Sequence, residues 1–283
     1  DVNNGNMRIE RYYELKIDSS LNLIDGKEAV DRFSSLLIDS VSLRLRSDVK
    51  VGTCLSGGLD SSSIATLAAS MYREDEKGPF SAITAVSEQT SNDESDFAAQ
   101  VVEYKQLDWH KVKPTYEDFA AALPEIVEAQ EEPFGSASIA MQYFVMQAAR
   151  EKGIPVLLDG QGGDETLLGY ERYFAAHYRS EAQAHGWFSS LKAMRASSIN
   201  NSAMSLHRVL AYFIYFNSSR VRWFNYRRRH AYLRVVPEMF DEVRLYADAG
   251  SDIHELQKLE IERNNLPALL RHEDKNAMRH SIE

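Results

Sequence analysis

Glycines, hydroxyls and carboxylates gather at two places in this 283-residue chain. The first is Leu55-Ser56-Gly57-Gly58-Leu59-Asp60-Ser61-Ser62. Paired glycines open backbone angles closed to other residues and let a ligand approach the main chain. A helix that follows adds free N–H groups and a positive dipole end, together an anion site. The hydroxyls of Ser56, Ser61 and Ser62 can donate to phosphate oxygens. No Gly-Lys-Ser or Gly-Lys-Thr follows, so this is not a Walker loop. A bare Ser-Gly-Gly would read as a strand–helix turn capped by Asp60 or Ser61; the whole string, placed after an apolar run, favours the anion site. The second stretch is Leu157-Leu158-Asp159-Gly160-Gln161-Gly162-Gly163-Asp164-Glu165, followed by Leu168-Gly169-Tyr170. Alone it reads as a glycine-rich turn with Asp164 capping a helix. Beside the first, it offers Asp60 and Asp164 as two carboxylates near an anion, the way Mg²⁺ is held by carboxylates and phosphate oxygens together.

Such chemistry needs a frame that brings the two stretches together. Residues 28–46 have a helical stripe of Ala29, Val30, Phe33, Leu36, Leu37, Val41 and Leu45. Val49–Leu55 then reads as a buried strand and 61–72 as a helix. Phe80–Val86 and Trp109–Val112 are further strands, separated by an acidic loop from Glu88 to Asp96 and a helix to about Tyr104. A helix over 136–151 leads to a fourth strand, Ile154–Leu158. Short apolar strands alternating with helices predict an α/β fold, a parallel sheet with helices on both faces. Ligands of open α/β sheets sit at the carboxyl ends of the strands. Both glycine-rich stretches end strands, so one shared site is predicted. Residues 171–283 read as helical, with a Ser/Asn loop at 196–205. The predicted division is 1–175, an α/β core with an N-terminal linker and helix, and 176–283, a helical extension cut at its C-terminal end.

Composition narrows the function classes. Apolar residues make up 44% and charged residues 26% of the chain, an ordinary globular balance. A net charge of −10 suits nucleic-acid phosphates poorly. The local exception is Arg220, Arg222, Arg227, Arg228 and Arg229, interleaved with Trp223, Phe224 and Tyr226; it reads as a solvated helix face with aromatics in the core, or as a patch for a partner or an anionic substrate. No apolar run is long enough to span a bilayer. The lone cysteine, Cys54, excludes an internal disulfide and a cysteine-based zinc cluster, and fits a reducing compartment.

The first stretch resembles the pyrophosphate-binding loop of the PP-loop ATP pyrophosphatase superfamily. With the second, the chain resembles the asparagine synthetase family from about Arg11 to Glu283, in which the second motif typically reads SGEGxDE. The resemblance implies the PP-loop (adenine nucleotide alpha hydrolase-like) fold, with ATP cleaved between its α and β phosphates. It implies that Ser56, Gly57, Gly58, Asp60, Ser61 and Ser62 hold the pyrophosphate, that Leu55 and Val86 line the adenine and ribose pocket, and that Asp159 and Gly160 contact the nucleotide. Asp60 and Asp164 would bind Mg²⁺. Asn92-Asp93-Glu94-Ser95 resembles the family's second strand–helix junction. Asp274-Lys275-Asn276-Ala277-Met278-Arg279-His280-Ser281-Ile282-Glu283 keeps the family's lysine eight residues before a glutamate. Lys275 and Glu283 would then be catalytic, Lys275 as a cation near the departing pyrophosphate or the developing oxyanion. The family's RxPF continuation is expected after Glu283, so the chain reads as cut within the domain.

The implied reaction converts a carboxylate, aspartate by family default, to an acyl-adenylate that ammonia attacks. The implied cofactors are ATP and Mg²⁺. Ammonia would come from a glutaminase domain on the full-length chain; Glu10-Arg11-Tyr12-Tyr13 resembles the linker after that domain, and nothing here supplies its N-terminal cysteine nucleophile. A cytoplasmic enzyme is expected, with no nucleic-acid or membrane partner and with homodimers possible. Gln161 departs from the family's glutamate. A neutral amide cannot act as a general base but can orient a substrate. β-Lactam synthetases and lasso-peptide cyclases, which resemble this family and use an internal amine, form the alternative, as does a non-catalytic ATP-binding domain. His110, His177, His207 and His254 sit in no motif.

Overall fold

The computed structural model describes residue 5, residues 7–74, 78–87, 93–200, 205–229 and 252–283, and the isolated positions 241, 245 and 249. The chain forms two compact units, neither a single stretch: Lys27–Gly169 with Asn264–Glu283, and Asp1–Gly26 with Tyr170–Arg263. The sequence reading ran instead as two consecutive stretches, with 264–283 at the end of the helical extension.

The first unit is the α/β unit. Its strands are β1 (Val51–Cys54), β2 (Ser81–Ala85), β3 (Asp108–Val112) and β4 (Val156–Leu158). All pairs are parallel, in the order β3-β2-β1-β4. Helices α1 (Gly26–Arg44), α2 (Leu59–Glu74), α3 (Ser95–Lys105), α4 (Tyr116–Gln130) and α5 (Ala137–Glu151) separate or precede the strands. After β4 comes the four-residue α6 (Gly163–Thr166). The strand period of two sends side chains to opposite faces. Val51, Leu55, Ala82 and Leu158 pack with Val41, Ala65, Ala68 and Ala98 of α1, α2 and α3. Ile83 and Ile154 pack on the other face with Met146 and Ala149 of α5 and with Ala277 and Ile282. This is the predicted sheet covered on both faces. Gly52 permits the close strand packing: a Cβ there would lie 2.9 Å from Ile154 and 3.0 Å from Ser81 O.

The strand order places the switch of direction between β1 and β4. The chain moves from β1 through β2 to β3 on one side, then returns to β4 on the other. Glu283 extends this edge: its N–H donates to Pro155 O (2.8 Å) and its carbonyl accepts from Leu157 N (2.7 Å).

Three sequence expectations change. The predicted stripe reaches the core only in its second half, where Val41 and, just past α1, Leu45 are buried and Leu37 packs against them; Val30 and Leu36 are 63% and 70% exposed. The Ser/Asn loop predicted at 196–205 is helical as far as Asn200, and residues 201–204 lie outside the described residues. Helix α4 lay in a stretch with no predicted element; Pro124 lies inside it, while a capping box of Thr115 and Asp118 starts it. The acidic loop at 88–96 falls outside the described residues up to Asn92.

The second unit contains α7 (Glu171–His185), α8 (Trp187–Asn200), α9 (Leu206–Asn217), α10 (Ser219–Arg229) and α11 (Ile253–Glu262). Tyr178, Met194 and Val209 form its core. The N-terminal segment joins it through polar contacts: Arg11 Nη2 donates to Glu262 (2.6 Å), Leu15 N donates to Glu262 (2.9 Å), and Lys258 pairs with Glu14 (3.0 Å). The arginine cluster on α10 does not divide into wet arginines and buried aromatics. Arg222 is buried, donates to Phe216 O and faces the rings of Tyr215 and Phe216, whereas Phe224 is exposed. No described helix is long and apolar enough to cross a membrane. Back in the α/β unit, the final helix, α12 (Asn265–Arg279), packs against α4 and α5.

Candidate active site

β1 hands the chain to the first loop. Leu55 N still donates to Ile83 O (2.9 Å), and Leu55 O accepts from Thr84 Oγ1 (2.7 Å). Pairing therefore runs one residue past the strand, and the Leu55 side chain stays in the core. The backbone then turns at Gly57, φ +94°; a Cβ there would meet Glu94 O at 2.6 Å and Ala98 N at 2.9 Å. Gly58 N donates to Ser56 Oγ (3.1 Å), the Ser56 and Ser61 hydroxyls are 2.9 Å apart, and Ser61 Oγ donates to Gly58 O (3.3 Å). This loop is thus braced by its own hydroxyls, and the 16-residue α2 begins at Leu59. The positive end of that helix dipole points at the loop.

The second loop leaves β4 at Asp159. Gln161 N donates to Asp159 Oδ1 (2.8 Å), and Gly163 N donates to Gly160 O (3.2 Å). Gly162 has φ +91°, a left-handed conformation suited to glycine. The glycines bring the two loops into contact: a Cβ on Gly160 would lie 2.9 Å from Ser61 N, and one on Gly163 would overlap the Asp60 carboxylate. Beyond the turn, buried Glu165 accepts from Asn265 Nδ2 (2.6 Å), and Gly169 N donates to Asp164 O (2.8 Å).

Between the loops lies a cleft of about 570 Å³. It is lined by Ser56, Gly58, Asp60 and Ser61 from the first loop and by Asp159, Gly160, Gln161 and Asp164 from the second. The cleft sits at the carboxyl ends of β1 and β4, where the strand order switches, the position ligands take in open α/β sheets. Burial first, then the charges of Asp164 and Glu165, push the Asp60 carboxyl above its ordinary range. Like charges gathered around a half-buried carboxylate favour a cation there. Among the described residues no three or more His, Cys, Asp and Glu side chains are grouped to hold a metal. Asp60 and Asp164 beside the start of α2 are the donor chemistry that would suit Mg²⁺, a cation that takes one or two carboxylates.

Other expected residues stand apart from the cleft. Leu55 is core, Gly57 turns against α3, and Val86 N bonds Val112 O (2.8 Å) outside the cleft lining. Ser62 faces a separate groove with Phe33 and Leu37, and its buried Oγ has no hydrogen-bond partner among the described residues. Lys275 Nζ donates to Gln130 O (2.5 Å) and lies 3.6 Å from Glu131. Glu283 meets the edge of β4 through its backbone, with its side chain exposed. Of the Asn92–Ser95 stretch, Asn92 lies outside the described residues; Asp93 accepts from Ser95 N (3.0 Å) at the start of α3, and Glu94 reaches the cleft lining.

The structure also adds residues that sequence reasoning missed. Cys54 lines the cleft, and burial first, then Asp159 and Glu273, push its thiol well up. Burial first, then the charge of Asp159, push the carboxyl of Glu273 on α12 up to about 8. No motif marks Glu273, and only the fold brings it within reach of that charge. A second depression, about 610 Å³, lies against the end of β3 and helices α4 and α5, among Lys111, Lys113, Glu125, Tyr143 and Glu151. It contains neither glycine-rich loop, so the chemistry selects the cleft between β1 and β4.

Comparison with known sequences identifies the family. The sequence model of the asparagine synthase family matches residues 32–283. A Methanocaldococcus jannaschii protein, provisionally named asparagine synthetase (glutamine-hydrolysing) 2, is 33% identical over 162 residues, 57% of this chain and 30% of that protein. A Mycobacterium bovis protein, provisionally named asparagine synthetase (glutamine-hydrolysing), is 34% identical over 166 residues, 58% of this chain and 24% of its own length. Amidase chyE of Penicillium rubens is 29% identical over 188 residues, 62% of this chain and 28% of that protein. The chain spans less than a third of each of these relatives.

Proposed function

The chain belongs to the asparagine synthase family, and we propose that it is the adenylating part of an ATP-dependent amide ligase. One observation carries this reading: two glycine-rich loops from β1 and β4 meet in a single cleft that holds Asp60, Asp164 and the start of α2. The first loop and the α2 N-terminus bind the β and γ phosphates through N–H groups and the Ser56 and Ser61 hydroxyls. Those hydroxyls now brace each other and exchange that contact for phosphate oxygens. Asp60 and Asp164 hold Mg²⁺, which when bound neutralises phosphate charge. A carboxylate oxygen of the acid attacks the α phosphorus, the bond to the bridging oxygen breaks, and pyrophosphate leaves. The amine then attacks the acyl carbon, AMP departs with the carboxylate oxygen, and the proton that the nitrogen loses leaves with the departing phosphate. Catalysis by this chain is chiefly positioning and charge stabilisation.

Aspartate is the proposed acid and ammonia from a glutaminase domain the proposed amine. Gln161 favours a second reading. It is exposed on the cleft, and as an amide it orients an amine without deprotonating it. An internal amine on a larger acid would suit that side chain.

ATP–pyrophosphate exchange by the full-length protein across a panel of carboxylic acids tests the proposal. Mg²⁺-dependent exchange with aspartate supports the asparagine reading. Exchange with another acid alone supports the second. A folded protein that binds Mg²⁺-ATP but exchanges with no acid refutes adenylation.

A further inference from the structure

The second loop is too short to hold its own shape. α6 is a single turn of four residues, Gly163–Thr166, and one helical turn is unstable without tertiary contacts. Within the loop, Thr166 Oγ1 donates to Gly162 O (2.8 Å) and Gly169 N donates to Asp164 O (2.8 Å). Two contacts from outside come from the start of α12. Asn265 Nδ2 donates to Glu165 Oε1 at 2.6 Å. The Leu266 side chain lies beside Gly162, 3.4 Å from where a Cβ would be, at the point where the loop turns with φ +91°. Glu165 is fully buried, and the residue before it, Asp164, lines the cleft. α12 is itself tied to the helices beneath it. Gln130 of α4 donates through Nε2 to Asn276 Oδ1 (2.8 Å) and to His272 O (3.0 Å), and Asn276 Nδ2 donates to Ile139 O of α5 (2.9 Å). Gln130 and Asn276 are fully buried, and buried amides with their partners in place fix one arrangement. The first residues of α12 therefore reach the loop from a rigid base.

We infer that Asn265 is a positioning residue: its side-chain amide anchors Glu165 and so sets where Asp164 stands in the cleft wall. The residue type suits the pair. A buried carboxylate that loses its donor is strongly disfavoured. Asparagine supplies a donor that has no charge, so Glu165 is held without being neutralised, and its charge is felt at Asp60. A lysine or arginine in the same place would cancel that charge and weaken the pull on a cation. Asn265 is not among the residues lining the cleft; it acts through Glu165. The anchoring of the loop stands on the hydrogen bond alone, whereas its effect on Mg²⁺ rests on the ligase reading.

Amide hydrogen exchange across residues 163–169 tests the anchor in the full-length protein without nucleotide. Wild type is compared with Asn265→Ala, Asn265→Asp and the exchanged pair Asn265→Asp/Glu165→Gln. The exchanged pair keeps one amide and one carboxylate and reverses the donor. In each single variant, exchange at 163–169 should be at least about tenfold faster, the scale of losing a hydrogen bond to a charged group. Residues 59–65, at the start of α2, should stay within about twofold of wild type, because opening is local. The exchanged pair should recover wild-type protection. Wild-type protection at 163–169 in folded Asn265→Ala, equal acceleration at 59–65, or no recovery in the exchanged pair overturns the inference. Where both single variants fail to fold, the exchanged pair decides: wild-type protection upholds the anchor, and loosening or unfolding overturns it. The Mg²⁺ dependence of ATP–pyrophosphate exchange then separates the claims. In Asn265→Ala the Mg²⁺ concentration for half-maximal rate should rise about tenfold, with the rate at saturating Mg²⁺ changed far less. A loosened loop with unchanged Mg²⁺ demand overturns the claim that Asn265 sets Asp164. A loosened loop in a protein whose wild type exchanges with no acid upholds the anchor and refutes adenylation.

Discussion

The two loops of the cleft do similar work with different support. The first is braced locally: Ser56, Gly58 and Ser61 bond one another, and a 16-residue helix follows at once. The second is followed by only four helical residues, and its Glu165 accepts from Asn265 of α12, a helix about a hundred residues away in sequence. A loop of the first kind contains its own instructions, whereas one of the second kind is correct only once the rest of the unit has folded. Damage to the first should therefore remain local or destroy the turn, and damage to α12 should loosen the second while leaving the first intact.

Gly57→Ala should have the largest effect. A methyl at φ +94° would press on the backbone of Glu94 and Ala98, costing roughly 3 kcal/mol, which denaturant titration would read. Gly162→Ala has a similar φ, +91°, but meets only the movable Leu266 side chain at 3.4 Å, so about 1–2 kcal/mol is expected. Equal losses would erase the contrast between a turn set against backbone and one set against a side chain.

Next come Asp60→Asn and Asp164→Asn. Each should lower Mg²⁺-dependent turnover about 100-fold or more, the scale of losing a fixed electrostatic partner. Asp60→Asn should leave the melting temperature unchanged or higher, because burial and Asp164 already disfavour its charge. A variant that unfolds, with its folded fraction still active, would remove the metal role.

Smaller still is the pH response of stability. The Glu273 carboxyl stands at about 8 in the folded chain against an ordinary 4.5. Its stabilising proton is fully present below the ordinary value and lost as pH rises through about 8. The melting temperature of wild type, relative to Glu273→Gln, should therefore fall between about pH 5 and pH 8.5. Parallel curves would mean that Glu273 does not titrate there. The smallest effect is expected of exposed Gln161→Glu: stability within about 0.5 kcal/mol, with a change confined to the amine step and read as the ratio of amide formation to pyrophosphate exchange.

The same contrast explains what was legible in the sequence. Strands β1 to β4 and their order of helices follow from short apolar runs and helical spacing, and the loops from their glycines. Local signals sufficed there because each loop residue's role is set by its neighbours. They failed where partners are distant. Nothing near Glu273 shows that its carboxyl is buried and feels the charge of Asp159. Nothing near Lys275 shows that its ammonium rests on Gln130 O and Glu131. The stripe of α1 was visible, but burial depends on what packs against it, and Val30 and Leu36 have no such cover among the described residues. Pro124 hid α4, whose end supplies Gln130 and packs on α12.

The central claim is that the cleft transfers a carboxylate to the α phosphorus of ATP. It is tested most directly by incubating the full-length protein with Mg²⁺-ATP, the amine and the acid identified by exchange, its carboxylate labelled with ¹⁸O. Mass spectrometry of the nucleotide then follows the oxygen. The account predicts AMP containing one labelled oxygen, formed in step with amide and slowed about 100-fold or more in Asp60→Asn. Unlabelled AMP, or ADP and phosphate in place of AMP and pyrophosphate, would contradict it.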